Sequence, residues 1–175
     1  MNRSGRPKFI VGNTRMIALG WVLLLGVMFL FFLDWGERES NPNRNLTVTG
    51  SPEMVLARSR DGHYYADGEI NGRAVKFMLD TGATQIALSR KLAGSLGIAL
   101  GAPLSLQTAA GPAAGYAARL ASVRLGGIEM TDLGAVVTEG MQDSTVLLGM
   151  NFLRRLEMIQ RGDQMTLRTI TAGGG

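Results

Sequence analysis

Hydrophobic positions follow two different patterns along the chain. Residues 16–33 (MIALGWVLLLGVMFLFFL) form an uncharged apolar run bounded by Arg15 and Asp34. Beyond about residue 53, apolar positions recur with a period near two, in short stretches broken by Gly, Asn, Asp and Pro. The first pattern predicts a helix that is apolar all round; at 1.5 Å per residue it nearly crosses a hydrocarbon core of about 30 Å. A cleaved secretory signal would end in small residues, and Asp34-Trp35-Gly36-Glu37-Arg38 offers none, so a retained signal anchor is the expectation. Residues 36–52 (GERESNPNRNLTVTGSP) are polar, carry two Pro and show no apolar period, which reads as a flexible tether. The expected organisation is a tail at 1–15, an anchor at 16–33, a linker at 34–52, a folded domain at 53–170 and a flexible tail at 171–175.

Within that domain, 63–70 and 73–79 read as two strands around Asn71-Gly72, a strong signal for a tight hairpin. Ser89 is placed to cap a short helix over 90–96 that stops at Gly97. Segments 103–108 and 116–125 look like strands flanking 109–115, a stretch of Gly, Ala and Pro expected to form a mobile hairpin tip. The meander continues through Gly126-Gly127 to 128–138. A short apolar strand, 146–148, then precedes Gly149 and a helical turn over 151–156. A last hairpin pairs 158–160 with 164–168 around Arg161-Gly162-Asp163. Many short strands and only one or two brief helices predict an all-β barrel or sandwich.

Charge and composition narrow the chemistry. Residues 1–50 carry six basic and three acidic side chains, so most of the formal net charge of +4 belongs to the segment around the apolar run. Arg3, Arg6, Lys8 and Arg15 precede that run, and Asp34, Glu37 and Glu39 follow it, which orients the N-terminus to the cytoplasm. The domain would then face the periplasm of a bacterial cell, held at the inner membrane by a single pass. Basic residues in the domain are scattered without interleaved aromatics, and nucleic acid is not expected as a partner. With no Cys and one His, thiol nucleophiles, disulfides and Cys- or multi-His metal sites are excluded, leaving carboxylate or hydroxyl chemistry. No metal or organic cofactor is expected.

The candidate is Phe77-Met78-Leu79-Asp80-Thr81-Gly82-Ala83-Thr84. A carboxylate directly after an apolar strand is partly desolvated, and a Gly two positions on lets the backbone turn its amides toward it. Standing alone, Asp-Thr-Gly is also ordinary turn chemistry. Its surroundings add information: the chain runs from apolar strand to Asp-Thr-Gly-Ala-Thr, capped helix and Gly-rich hairpin. Leu147-Leu148-Gly149-Met150-Asn151-Phe152-Leu153 follows about 65 residues after the Asp. Over roughly 60–170 this order resembles the retropepsin-like aspartic proteases, and with the apolar run ahead of the domain it looks most like a bacterial membrane-anchored branch of them.

The resemblance implies a retropepsin-like acid-protease barrel preceded by one N-terminal transmembrane helix. Asp80 would be the catalytic carboxylate, Thr81 would lock two active-site loops across a dimer, and Gly82 would let the backbone approach Asp80. Ala83 and Thr84 would complete the loop. Leu147, Leu148 and Gly149 would form an apolar shelf behind it, and Ala109, Ala110 and Gly111 the tip of a flap. The implied activity is hydrolysis of peptide bonds in a polypeptide substrate. That chemistry needs two carboxylates, and the chain has one Asp-Thr-Gly; Asp61, Asp132 and Asp163 lack the apolar entry or the Thr-Gly pair. The second must come from another copy, as in a homodimer with its site on the axis. His63, near Asp61 and Asp67, reads as a surface residue, since a metal site needs more ligands. A non-catalytic barrel serving binding or dimerisation in the envelope, and an adaptor taking a peptide at a sheet edge, are the other readings.

Overall fold

The computed structural model describes residues 14–43, 53–108, 111–141 and 144–170. The chain divides into two compact units, 1–37 and 38–175. The first carries most of helix α1 (Thr14–Ser40), 27 residues long, or about 40 Å at 1.5 Å per residue. Over residues 18–31 its apolar side chains are exposed, Leu19 at 71% and Trp21 at 61% among them. Among the described residues no helix is long and apolar enough to cross a membrane; on α1 side chains are placed for 18–31 alone. The helix continues past residue 33 into the stretch expected to be tether.

The second unit is built of β1 (Glu53–Ala57), β2 (Tyr65–Ile70), β3 (Arg73–Leu79), β4 (Ile86–Ser89), helix α2 (Arg90–Leu96), β5 (Pro103–Thr108), β6 (Gly111–Leu125), β7 (Ile128–Thr138), β8 (Thr145–Leu148), helix α3 (Met150–Leu153), β9 (Leu156–Arg161) and β10 (Gln164–Thr169). One sheet runs β2-β3-β8-β4-β7-β6-β5, and β6 also pairs with β2, so the sheet closes into a barrel with β5 outside the closure. The other sheet is β1-β10-β9. The all-β barrel with brief helices is therefore as expected.

Local chemistry sets several elements. Asn71 (φ 51°) and Gly72 (φ 75°) take the left-handed conformation that matches the twist of β2 and β3. The Ser89 hydroxyl accepts from the Leu92 amide to open α2, and Gly97 (φ 69°) closes it. Along β3 burial alternates as the strand enters the core, with Val75, Phe77 and Leu79 shielded. Phe77, Leu148 and Phe152 have no exposed surface, each burial stabilising by about 1.5–3 kcal/mol.

Several boundaries in this unit differ from expectation. Residues 112–115 are not a hairpin tip: with Gly111 they form the start of β6, paired with Leu104–Thr108 of β5. Ladder hydrogen bonds need no side chain, and at Gly115 a Cβ would lie 2.8 Å from Leu106 Cδ1 and 3.1 Å from the Val137 carbonyl oxygen, so a small residue is what the site admits. Helix α3 covers 150–153 where a turn over 151–156 was expected, because Leu156 is already paired with Thr169 in the ladder of β9 and β10. That same ladder absorbs Arg161 and leaves Gly162-Asp163 as the turn.

A further difference lies at 41–43. Asn41 and Asn43 are 3% and 7% exposed. The Asn43 carboxamide accepts from the Ala57 amide (2.8 Å) and donates to the carbonyls of Ala57 (2.9 Å) and Tyr65 (2.7 Å), joining β1 of one sheet to β2 of the other. Asn41 donates to Asp67 (2.6 Å) and accepts from the Asn43 amide (3.2 Å). A polar composition suggested a solvated tether; here the polarity consists of carboxamides satisfying backbone groups at a sheet edge.

Candidate active site

The buried run of β3 delivers Asp80 to the end of the strand, where its amide donates to the Leu148 carbonyl of the parallel strand β8 (3.2 Å). Asp80 is half-buried. One oxygen of its carboxylate accepts from the Gly82 amide (2.8 Å), and its carbonyl accepts from the Ala83 amide (3.3 Å), which folds 80–83 into a tight turn. A Cβ at Gly82 would stand 3.1 Å from that carboxylate oxygen, so glycine leaves it room. Thr81 and Thr84 are exposed. Among the described residues, no cation pairs with Asp80.

The far limb of this loop is held by α3. The Met150 and Asn151 amides donate to the carbonyls of Ala83 (2.8 Å) and Thr84 (3.1 Å). Gly149 is buried against the loop: a Cβ there would be 2.4 Å from the Gln85 carbonyl oxygen and 2.8 Å from that of Ala83, closer than real atoms approach. The Asn151 side chain accepts from the Ile86 amide (3.0 Å) and donates to the Gly134 carbonyl on β7 (2.7 Å). The structure thus brings residues 80–84 together with Leu148 and Gly149. Leu147, half-buried, pairs with Met78 and Ala87 on the neighbouring strands.

The expected flap maps to the hairpin of β5 and β6. Ala109 and Ala110 lie outside the described residues, and Gly111 (φ 110°) begins β6 opposite Thr108. A groove of about 490 Å³ runs along this hairpin, lined by Pro103, Leu104, Ser105 and 112–116, and includes none of 80–84. His63 is exposed and stacks edge-to-face on Tyr65, with ring centres 6.4 Å apart. Asp61 is desolvated slightly, but the hydroxyl of Tyr65 (2.7 Å) and the amide of His63 (3.0 Å) outweigh this and hold its carboxyl below the usual range. Among the described residues no three His, Cys, Asp or Glu side chains converge as a metal site would require. Asn151 is the residue the sequence reading passed over. Its signal was a lone polar side chain inside the apolar run 147–153.

Comparison with known proteins agrees with this geometry. The curated relatives include an uncharacterised protein from Sinorhizobium, 33% identical over 134 residues that cover 73% of this chain and 58% of that protein. One from Rickettsia prowazekii is 48% identical over 48 residues, covering 27% and 21%. The chain spans less than two thirds of either relative's length. Among solved structures, the crystal structure of a retropepsin-like aspartic protease from Rickettsia conorii superposes with a TM-score of 0.59 at 35% identity, covering 67% of this chain and 90% of that one. The profile of the family described as gag-polyprotein putative aspartyl protease matches residues 66–155, just over half of the sequence, running from within β2 to just past α3, so the chain belongs to that aspartic protease family.

Proposed function

We propose that this protein is a membrane-anchored aspartic endopeptidase that works as a homodimer, each copy supplying one Asp80. The observation that carries the reading is the Asp80 loop: a half-buried carboxylate with no cationic partner among the described residues, at the end of a buried strand, in a turn braced from behind by α3. A purely structural carboxylate would gain from a counter-charge, whereas one that must gain and lose a proton does not want one.

In the general aspartic protease mechanism two close carboxyl groups share one proton, because both cannot ionise cheaply side by side. The ionised Asp80 removes a proton from a water as its oxygen bonds to the scissile carbonyl carbon. The protonated Asp80 of the other copy gives its proton to the carbonyl oxygen. Collapse of the tetrahedral intermediate then breaks the C–N bond, the departing nitrogen taking the proton that the first carboxyl gained while one hydroxyl of the intermediate returns its proton to the second carboxyl. Thr81 is proposed to link the two loops across the axis, and the hairpin of β5 and β6, with Ala109, Ala110 and Gly111 at its tip, to cover an extended polypeptide substrate.

The anchor at 16–33 is supported by the exposed apolar side chains of α1. Its basic flank, Arg3, Arg6, Lys8 and Arg15, supports a cytoplasmic N-terminus and a periplasmic barrel at the bacterial inner membrane. Confinement to one membrane would raise the effective concentration of the two halves of the site. The test is cleavage of a diverse peptide library by the full chain in lipid vesicles, from acidic to neutral pH, beside Asp80→Asn. Cleavage by the unsubstituted chain alone is the expected result. Equal cleavage by both would overturn the proposal, and cleavage by neither would overturn it and leave the barrel as a binding or dimerisation module.

A further inference from the structure

Asn151 joins three elements that the catalytic reading leaves separate. Its carboxamide oxygen holds the Ile86 amide at the end of the Asp80 loop, its nitrogen holds the Gly134 carbonyl on β7, and its own amide holds the Thr84 carbonyl. The side chain stands where the parallel pair of β4 and β7 opens, at its first pair, Ile86↔Ala135. This position asks for an acceptor and a donor on one short trigonal group, which a carboxamide offers; a carboxylate lacks the donor and an aliphatic side chain lacks both. Ile86 itself has no exposed surface, so without Asn151 its amide would be left with nothing to bond.

We propose that Asn151 is a positioning residue for Asp80, setting the height of the carboxylate by fixing the loop limb from Thr84 to Ile86 against β7. This rests on the proteolytic reading above. The path is short: Asp80 is bonded to Ala83, Ala83 to Met150, and Thr84 and Ile86 to Asn151. A shift of the limb therefore moves the turn that aims the carboxylate, and a displacement of the order of 1 Å can cost about 10²-fold in rate.

The experiment uses the full chain in vesicles with Asn151→Asp and Asn151→Ala, measuring kcat and KM per folded molecule across pH, with amide hydrogen exchange of 82–86 in parallel. The introduced carboxyl, when ionised, faces the Gly134 carbonyl without a proton to give. Charged residues on the surrounding elements are Asp80 on the loop, Glu129 and Asp132 on β7, Arg154 and Arg155 after α3, and Glu157 and Arg161 on β9. At neutral pH Asn151→Asp should lower kcat by about 10²-fold with KM within about twofold, and exchange at Ile86 should accelerate. As pH falls and the carboxyl regains a donor, the ratio of variant to unsubstituted kcat should rise, whereas Asn151→Ala should show no such recovery. A neutral-pH kcat for Asn151→Asp equal to that of the unsubstituted chain overturns the inference, as does a loss that tracks only the unfolded fraction. If the unsubstituted chain cleaves nothing, the proteolytic reading fails; unchanged exchange over 82–86 in both variants then separately overturns the positioning role.

Discussion

The chain contains two Asp-x-Gly tripeptides in its barrel, Asp80-Thr81-Gly82 and Asp132-Leu133-Gly134, and the structure uses them in opposite ways. Asp80 ends a buried strand, is half-buried, and its carboxylate is held by the Gly82 amide of its own turn. Asp132 sits mid-strand in β7 at φ 58°, exposed, gripped by Arg119 through both carboxylate oxygens. Hydrogen bonding from that guanidinium, and its charge, hold the Asp132 carboxyl below the usual range. The tripeptide alone does not make a reactive carboxylate. A buried strand ahead of it, and the lack of a fixed counter-charge, distinguish the two.

The largest effect should come from substituting each aspartate in turn. Asp80→Asn should reduce cleavage by on the order of 10³-fold, the scale of a lost acid–base group, while Asp132→Asn should stay within about twofold of the parent. Comparable losses in the two would break the comparison. Next in size is Gly149→Ala, which forces a methyl group to within 2.4 Å of the Gln85 carbonyl and should destabilise the barrel by on the order of 3 kcal/mol in denaturant titration. Gly134→Ala in the other tripeptide, whose Cβ would meet only the Gln85 side chain at 3.2 Å, should cost less.

The smallest effect concerns the Arg119 pair itself. Because the Asp132 carboxyl titrates below its ordinary value of 3.8 when folded, the pair's contribution is complete above that value and is lost as pH falls through the folded one. Arg119→Gln should therefore lower Tm slightly above that window and not at all at strongly acidic pH, with cleavage unchanged. The difference is small because both side chains are about two-thirds exposed, at 67% and 68%. A Tm difference that persists unchanged into strong acid would show that the pair is not its source.

What could be read from sequence was what local chemistry dictates. Asn71-Gly72, the Ser89 cap and Gly97 each act within a few residues, and the structure places all three as expected. Asp80 stood out because an apolar run led into it. Strand β4 was missed: its four residues are defined by partners on β7 and β8 far along the chain, not by any pattern of their own. The start of β6 was missed because Gly and Ala carry no strand signal when the ladder alone recruits them. Gly149 was expected behind the loop from the resemblance alone, whereas the brace of Asn151 was passed over, since its meaning lies in which backbone groups its side chain meets.

The Asn43 carboxamide has a practical consequence for defining the smallest piece that folds. A fragment beginning at residue 53 keeps every strand of the barrel but discards the side chain that joins β1 to β2, leaving the Ala57 amide and the Ala57 and Tyr65 carbonyls without those partners. Asn43→Ala in the full chain should cost about 1–3 kcal/mol of barrel stability, read by denaturant titration, and a fragment from 53 should show at least that loss beside one from 38. The boundary of the autonomous folding unit therefore lies upstream of its first strand, no later than Asn43.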